Sequence, residues 1–126
     1  MLLAATACAQ NKSKLKTKLM YTEKLTNPVV KQAINALQTA NKTVWFSLFT
    51  TDAELYDDGK LISFRYFSDS ALGHEHFNSI DRVEDDGLSV YGKFHSDQWG
   101  DFKTYFKFHI NADGKINRLD IGQASY

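Results

Sequence analysis

The sequence predicts an α+β domain in which N-terminal helices pack on a strongly curved antiparallel sheet. Three observations lead to this prediction: an amphipathic segment after Asn27-Pro28, alternating apolar and polar runs after residue 54, and a closing hairpin around Asp113-Gly114. Alternation is typical of strands with one buried face, and Asp-Gly is typical of tight turns. Helices and strands that are segregated along the chain favour an α+β fold.

Two helical segments come first. Asn27 is a favourable N-cap and Pro28 fits the first helical position. Apolar residues then recur every three or four positions as far as Ala40, and Asn41 is expected to break the helix. A second helix is expected to end at residues 50–52. Its shorter apolar face consists of Val44, Trp45, Leu48 and Phe49.

Most of the remaining elements are predicted strands. A short strand is expected at 54–57, followed by the turn Asp58-Gly59 and a β-prone run at 61–67. A short helix within 68–76 would be capped by Ser68 or Asp69. Strands are then expected at 78–84 and 88–94, a longer loop at 96–100 and the closing hairpin at 101–122.

The chain is expected to divide into three segments. Residues 1–9 are apolar and rich in small residues, like the end of a secretory signal; residues 10–27 form a Lys-rich tether, and residues 28–126 the folded domain. Residues 7–9 fit an A-x-A cleavage site, whereas residues 5–8 resemble a lipobox that would lipidate Cys8 and provide a membrane tether. Both alternatives predict an exported protein, either periplasmic or lipid-anchored to the bacterial envelope.

Composition excludes several function classes. The net charge is zero, but residues 1–27 hold five Lys and one Glu, which leaves about −4 for residues 28–126. A mildly acidic domain lacks the basic face that nucleic-acid binding needs. Cys8 is the single cysteine, so the sequence allows no intrachain disulfide. No metal-site spacing or phosphate-loop motif is present, and we predict no metal and no cofactor.

Two groups of residues carry a family resemblance. One is Ala33-Ile34-x-Ala36-Leu37 followed by Trp45-Phe46-x-Leu48-Phe49-Thr50-x-Asp52-Ala53-x-Leu55. The other is Phe106-x-Phe108 followed by Asp113-Gly114-Lys115-Ile116-x-Arg118-Leu119. Together they resemble the nuclear-transport-factor-2-like (NTF2-like) superfamily, which includes SnoaL-like polyketide cyclases and ketosteroid isomerases. Over residues 28–124 the resemblance implies a cone with an internal pocket and a homodimer formed through the sheet, and it implies chemistry only weakly.

The resemblance to isomerases places their general base at Asp57, four residues after Ala53. Those enzymes also hold the oxyanion with a Tyr on the first helix and a protonated acid on the penultimate strand. Here the first helix contains no Tyr, and Phe106 stands at the position of the acid. An enolate without such a partner is poorly stabilised. We therefore expect that the protein is not a ketosteroid isomerase.

Strand parity predicts an apolar pocket. Phe106 and Phe108 share the inner face of their strand, whereas Lys107 and His109 face outward. The alternative is that the inner residues simply fill a core. The predicted lining consists of Trp45, Phe49, Tyr56, Tyr66, Phe67, Phe77, Phe94, Phe106, Phe108, Leu119 and Ile121.

Three residues are candidate catalytic groups. Asp57 would act as a base if pocket desolvation raised its pKa, or it would only precede a turn. Arg65 would clamp a carboxylate, or it would extend to the surface. His74 would shuttle protons at the pocket mouth, as would His76. Trp99 would cover the pocket, contact a partner, or fold back on the sheet.

The tripeptide His74-Glu75-His76 does not predict a metal site. Two of the three ligands that such a site needs are present, but His95 and His109 have outward parity and supply no third.

The leading hypothesis from the sequence is a domain that binds an unknown small apolar or amphipathic molecule. The first alternative is a cyclase/isomerase-type enzyme with Asp57 as base and Arg65 or His74 polarising the substrate. The second is a non-catalytic dimeric interaction module with a filled cone. Its contact surface on the outer sheet face would contain Tyr91, Lys93, Tyr105 and Lys107.

Overall fold

A computed structural model describes residues 21–126 and confirms the α+β class. A 3₁₀ turn at Tyr21–Lys24 comes first. The helices in this part of the chain are α1 (Pro28–Gln38), α2 (Lys42–Ser47) and α3 (Phe64–Ala71). The strands are β1 (Phe49–Asp57), β2 (Lys60–Ile62), β3 (Glu75–Glu84), β4 (Ser89–Ser96), β5 (Gly100–Ile110) and β6 (Ile116–Gln123).

The six strands form one curved, unclosed sheet in the order β2-β1-β6-β5-β4-β3. Neighbouring strands are antiparallel except for β1 and β6, which run parallel with Leu55 beside Leu119. The parallel pair differs from the wholly antiparallel sheet that the sequence predicts. Alternation along a strand indicates which face is buried but carries no information on the direction of a partner that lies far away in the chain.

The start of α1 is as predicted. The Asn27 side chain accepts hydrogen bonds from the backbone N–H groups of Val29 (2.9 Å) and Val30 (3.2 Å). The helix ends at Gln38, whose buried amide donates to the Phe77 carbonyl (2.9 Å) and accepts from the Phe77 N–H (2.7 Å). Because β3 is an edge strand, this amide satisfies backbone groups that no neighbouring strand pairs with.

Several predicted boundaries are wrong, including the start of β3, which lies at Glu75 and inside the helix expected within 68–76. β1 begins at Phe49, so residues 50–52 belong to a strand; the two Thr are β-branched and fit an extended backbone. The β-prone run 61–67 is divided between β2 and α3, whose N-cap is Ser63, not Ser68 or Asp69. The Ser63 hydroxyl oxygen accepts a hydrogen bond from the Tyr66 N–H (3.1 Å). Local capping therefore outweighs the β propensity of these aromatic residues.

The core lies between the helices and the inner face of the sheet. Fully buried Trp45 packs on Phe49 with a centroid distance of 4.7 Å. Its indole N–H donates to the hydroxyl of buried Ser68 (2.9 Å). Further along the sheet, Phe77 packs edge-on against Phe106 at 5.1 Å. Aromatic rings thus fill the helix-covered end of the domain.

The segment before α1 also packs on the sheet. Leu25 is buried in the core, and the Lys24 ammonium donates to the Ile80 carbonyl (2.9 Å). These residues fall within the predicted tether. The predicted signal segment at 1–9, including Cys8, lies outside the described residues. Among residues 21–126, no helix has the length and apolar character needed to cross a bilayer.

Candidate functional site

A pocket of about 650 Å³ opens at the end of the sheet where β1 ends and β3 begins. Its walls come from the inner face of the sheet, from α3 and from the β4–β5 turn. The apolar lining includes Ile62, Phe67, Phe94, Phe102, Phe106 and Ile121. The polar lining includes Asp57, Asp58, Glu75, Gln98, Thr104 and Gln123.

The wall of the pocket is aromatic. The Phe94 ring lies 5.5 Å from that of Phe106 and 5.8 Å from that of Phe102, centroid to centroid. Phe77 packs behind Phe94 at 4.9 Å and does not line the pocket. This aromatic layer separates the open space from the filled part of the core, and Phe106 belongs to both.

Asp57 lies at the rim of the pocket. It is the last residue of β1 and has the same parity as buried Leu55, so its side chain is on the inner face. Asp58 and Gly59, with φ of 48° and 84°, form the two-residue turn that returns the chain to Lys60. Partial burial, and secondarily the charge of Asp58, raise the pKa of Asp57. Asp57 therefore both precedes a turn and lines the pocket.

Glu75 is a pocket residue that the sequence analysis missed. It is the first residue of β3, and it shares the inner face with Phe77. Its carboxylate accepts a hydrogen bond from the Ser96 hydroxyl (2.8 Å). Burial raises the pKa of Glu75, and the charge of Asp57 raises it further, against the lowering effect of the Ser96 bond. Glu75 and Phe77 are two residues apart on one strand, so the inner-face position of Glu75 could have been predicted from that of Phe77.

Ser96 also holds the turn between β4 and β5. Its hydroxyl oxygen accepts hydrogen bonds from the backbone N–H groups of Gln98 (3.2 Å) and Trp99 (3.1 Å). Trp99 is 72% exposed at the pocket mouth, and Tyr66 on α3 is 73% exposed there. One hydroxyl thus joins the Glu75 carboxylate to the turn that carries Trp99.

No protein-family model matches the sequence, and no curated protein is significantly similar to it. Solved structures do match. An NTF2-like protein of unknown function from Cytophaga hutchinsonii superimposes over 76% of this chain and 87% of its own, with a TM-score of 0.61 and 12% identity. The chain has the NTF2-like fold. The resemblance found in the sequence is thereby confirmed at the level of the fold.

Two other structures with this fold are those of a carotenoid-binding protein and of a candidate enzyme. The Orange Carotenoid Protein of Anabaena (Nostoc) sp., which binds canthaxanthin, matches over 81% of this chain with a TM-score of 0.65 and 20% identity. This chain spans only 37% of that protein. A candidate polyketide cyclase from Sinorhizobium meliloti matches over 76% of this chain and 94% of its own, with a TM-score of 0.62 and 19% identity.

The structure distributes the predicted lining residues over three places in the NTF2-like domain. The pocket is lined by Tyr66, Phe67, Phe94, Phe106 and Ile121. The filled core holds Trp45, Phe49, Phe77, Phe108 and Leu119. Tyr56 has the parity opposite to Asp57, and its ring is stacked by the Arg118 guanidinium at 4.0 Å. Parity assigned the inner face, but it carries no information on how far the open space extends along that face.

Arg65 and His74 do not line the pocket. Arg65 is exposed on α3, where its guanidinium lies 3.3 Å from the Asp69 carboxylate and 4.7 Å from the centroid of the Phe46 ring. The exposed His74 ring lies 3.2 Å from Asp97 through Nδ1. Neither side chain is placed to act with Asp57 on a molecule in the pocket.

A cluster of His and Asp side chains lies beside the pocket. The His95 ring contacts Asp101 through Nδ1 (2.6 Å) and Asp97 through Nε2 (3.0 Å). The bond to Asp101, followed by that to Asp97, raises the pKa of His95. The His76 ring lies 5.2 Å from that of His95. Among the residues that the structure describes, no group of three or more His, Cys, Asp or Glu is arranged to hold a metal ion.

The geometry of the site defines the chemistry that is available. Phe106 provides no acid at its position, and the Thr104 hydroxyl is used in a bond to the Gly122 carbonyl (2.6 Å). The ionisable groups at the pocket are the carboxyls of Asp57, Asp58 and Glu75, together with the phenol of Tyr66. The site can hold an apolar body against aromatic rings with a polar group near the carboxylates.

Proposed function

We propose that this NTF2-like domain binds a small amphipathic molecule in the pocket between α3 and the inner face of the sheet. The observation that carries the proposal is the open space of about 650 Å³, with an aromatic wall and polar groups at its rim. Ligand sites typically enclose roughly 300–1,000 Å³, with mostly apolar walls and a few polar groups. The canthaxanthin-binding relative supports the binding of an apolar molecule by this fold.

The pocket would orient its ligand by polarity. Phe94 and Phe106 are nearly fully buried, and they offer an apolar surface deep in the pocket. Asp57, at the rim, belongs to the exposed end of β1. An apolar body would therefore enter first, and a polar group would remain at the mouth, where water and carboxylates solvate it.

The neutral dye N-phenyl-1-naphthylamine tests the proposal, because its emission rises in apolar surroundings. We expect saturable binding to the wild-type chain. Ser70→Trp places an indole in the pocket lining and should weaken binding at least ten-fold. Ser125→Trp is the matched control, since Ser125 is exposed and lies outside the lining. Absence of saturable binding, or equal loss in both variants, would contradict the proposal.

A second candidate function is acid–base catalysis of the cyclase/isomerase type. It is favoured by two carboxyl groups, those of Asp57 and Glu75, that line one pocket and both have raised pKa values. The similarity to the candidate polyketide cyclase supports it. Asp57 would accept a carbon-bound proton. Glu75, and not Arg65 or His74, would be the second proton-carrying group.

Hydrogen–deuterium exchange next to the carbonyl of 1-decalone, followed by NMR, distinguishes catalysis from binding. A catalytic Asp57 would accelerate exchange above the buffer rate, and Asp57→Asn would lose about 10²–10⁴-fold, the usual contribution of a general base. Asp52→Asn, on the same strand but away from the pocket, should keep the activity. If the dye binds and exchange is not accelerated, the result supports binding and contradicts catalysis.

We also propose that the protein is exported and attached to the envelope through Cys8. The lipobox-like residues 5–8 support this proposal. Mass spectrometry of protein from the membrane fraction of a bacterial host should find the lipid on Cys8. Cys8→Ser should move the protein to the soluble fraction. Cleavage before Gln10 would instead indicate a soluble periplasmic protein.

A homodimer formed through the outer face of the sheet is the last part of the proposal. The half-buried rings of Tyr91 and Tyr105 on that face support it. Sedimentation of residues 21–126 should give about twice the monomer mass, and Tyr105→Glu should restore the monomer. Monomeric wild-type protein at high concentration would refute the dimer without affecting the pocket.

A further inference from the structure

The charges that line the pocket all have one sign. Among the described residues of the lining, Asp57, Asp58 and Glu75 are acidic, and none is Lys, Arg or His. None of the three carboxylates forms an ion pair with a basic side chain in the described part of the chain. The Asp58 carboxylate accepts a hydrogen bond from the backbone N–H of Gln123 at 3.1 Å. Within residues 21–126, no basic side chain neutralises this charge.

The carboxylates act on one another. Next to burial, the charge of Asp58 raises the pKa of Asp57, and the charge of Asp57 raises that of Glu75. The charge of His74 lowers the pKa of Glu75, but this is the smallest of the effects on that pKa. A cation between these groups would relieve the repulsion, whereas an anion would increase it.

The aromatic rings of the pocket also favour a positively charged ligand. The faces of Trp, Tyr and Phe rings attract organic cations within about 6 Å, and Trp does so most strongly. Trp99 and Tyr66 present their rings at the mouth, and no described Arg or Lys is stacked on either. Carboxylates and open aromatic faces therefore surround one space.

We propose that the pocket selects an organic cation, namely an apolar body that carries an ammonium or quaternary ammonium group. The inference rests on the proposed binding of an amphipathic molecule and specifies the charge of that molecule. The body packs against Phe94 and Phe106. The cationic head lies at the mouth between Asp57 and Glu75, within reach of the Trp99 ring. Amphipathic anions, such as fatty acids, are rejected.

Three probes with one 4-phenylbutyl body test the charge preference by calorimetry at pH 7.5 and low salt. Their heads are trimethylammonium, the neutral isosteric tert-butyl group, and carboxylate. We expect the ammonium probe to bind at least ten-fold more tightly than the tert-butyl probe, and the carboxylate probe to bind most weakly. Because the preference is electrostatic, it should shrink as salt is added.

Conservative variants locate the source of the preference. In the double variant Asp57→Asn/Glu75→Gln, the ratio of ammonium to tert-butyl affinity should fall at least three-fold, and Asp58 and the aromatic rings account for the preference that remains. The amide introduced by Glu75→Gln keeps an oxygen that can accept the Ser96 bond. The matched control is Asp86→Asn/Asp113→Asn, which removes two charges from exposed turns outside the pocket and should leave the ratio unchanged.

The outcomes separate this inference from the function on which it rests. If the tert-butyl probe binds as tightly as the ammonium probe, the charge preference is refuted and ligand binding stands. If the preference is undiminished in the double variant, the carboxylates of Asp57 and Glu75 are not its source and the inference is again refuted. If neither the three probes nor the neutral dye binds, the proposed ligand binding is refuted, and the proposed charge preference is refuted with it.

Discussion

Truncation of two Phe residues on β5 tests whether the pocket is a preformed open space. Phe106 and Phe108 lie on one face of the strand, 1% and 2% exposed, with centroids 6.2 Å apart. Phe106 lines the pocket, whereas Phe108 belongs to the filled core. The substitutions Phe106→Ala and Phe108→Ala therefore remove the same atoms from one strand, and they differ in what surrounds the vacated space.

The two costs can be worked out from this difference. Removal of either ring loses about 2 kcal/mol of transfer free energy. At Phe108 the ring leaves a closed cavity on the order of 100 Å³, which at about 24 cal/mol per Å³ adds roughly 2 kcal/mol. At Phe106 the vacated volume joins a pocket that is already open, so the cavity contribution is largely absent. We expect about 4 kcal/mol for Phe108→Ala and about 2 kcal/mol for Phe106→Ala.

Urea unfolding followed by circular dichroism measures both costs. For a slope of about 2 kcal/mol/M, the midpoints of the two variants should differ by about 1 M, with Phe108→Ala the less stable. Phe106→Ala should also weaken binding of N-phenyl-1-naphthylamine, because the Phe106 ring forms part of the aromatic wall of the pocket. Equal costs, or a greater cost at Phe106, would show that protein atoms surround the Phe106 ring and that the pocket does not reach it.

Three further results are expected. Glu75→Gln should raise the melting temperature at pH 7, because a carboxyl whose pKa is raised in the folded state destabilises that state once it is ionised. In melting experiments over a series of pH values, the gain should vanish below the ordinary pKa of Glu. Ser68→Ala should cost about 1–3 kcal/mol in chemical unfolding, since it leaves the buried Trp45 N–H without its acceptor, and a cost near zero would contradict the bond. Burial and the bond to Asp81 raise the pKa of Tyr126 to about 12, so ultraviolet titration should show Tyr126 among the late tyrosines. Asp81→Asn should bring its pKa back toward 10, and the stability of the wild-type protein should fall as pH rises from 10 to 12.

Local signals made much of the fold predictable. The Asn27 cap, the Asp113-Gly114 turn and the alternation of β5 depend on neighbours in the chain, and each appears as the sequence indicates. The β1–β6 pair was not predictable, because its partners lie at opposite ends of the domain sequence. Ser63 was missed for a different reason: a single hydroxyl at the N-cap started a helix in a run whose residue types favour strands.

The site was less predictable than the fold. The resemblance to isomerases pointed to Asp57, and the structure places this residue at the pocket rim. Glu75 falls in the segment 68–76, where the sequence predicts a short helix, so the strand parity that it shares with Phe77 was not apparent. The extent of the open space depends on how far α3 covers the inner face. Since that is a property of tertiary packing, it has no counterpart in the pattern of any one segment.

The parallel pairing of β1 with β6 has a consequence for how the domain is made. During synthesis β1 and β2 emerge early, but β1 meets its other neighbour only when β6 has been added. Pairings between distant segments close late and slowly because of the chain entropy they cost. Asp57 belongs to the β1–β2 hairpin, which can form before β6 is available, and Glu75 belongs to the meander of β3, β4 and β5. We therefore expect their mutual repulsion to arise late in folding, when β6 joins the β1–β2 hairpin to the meander.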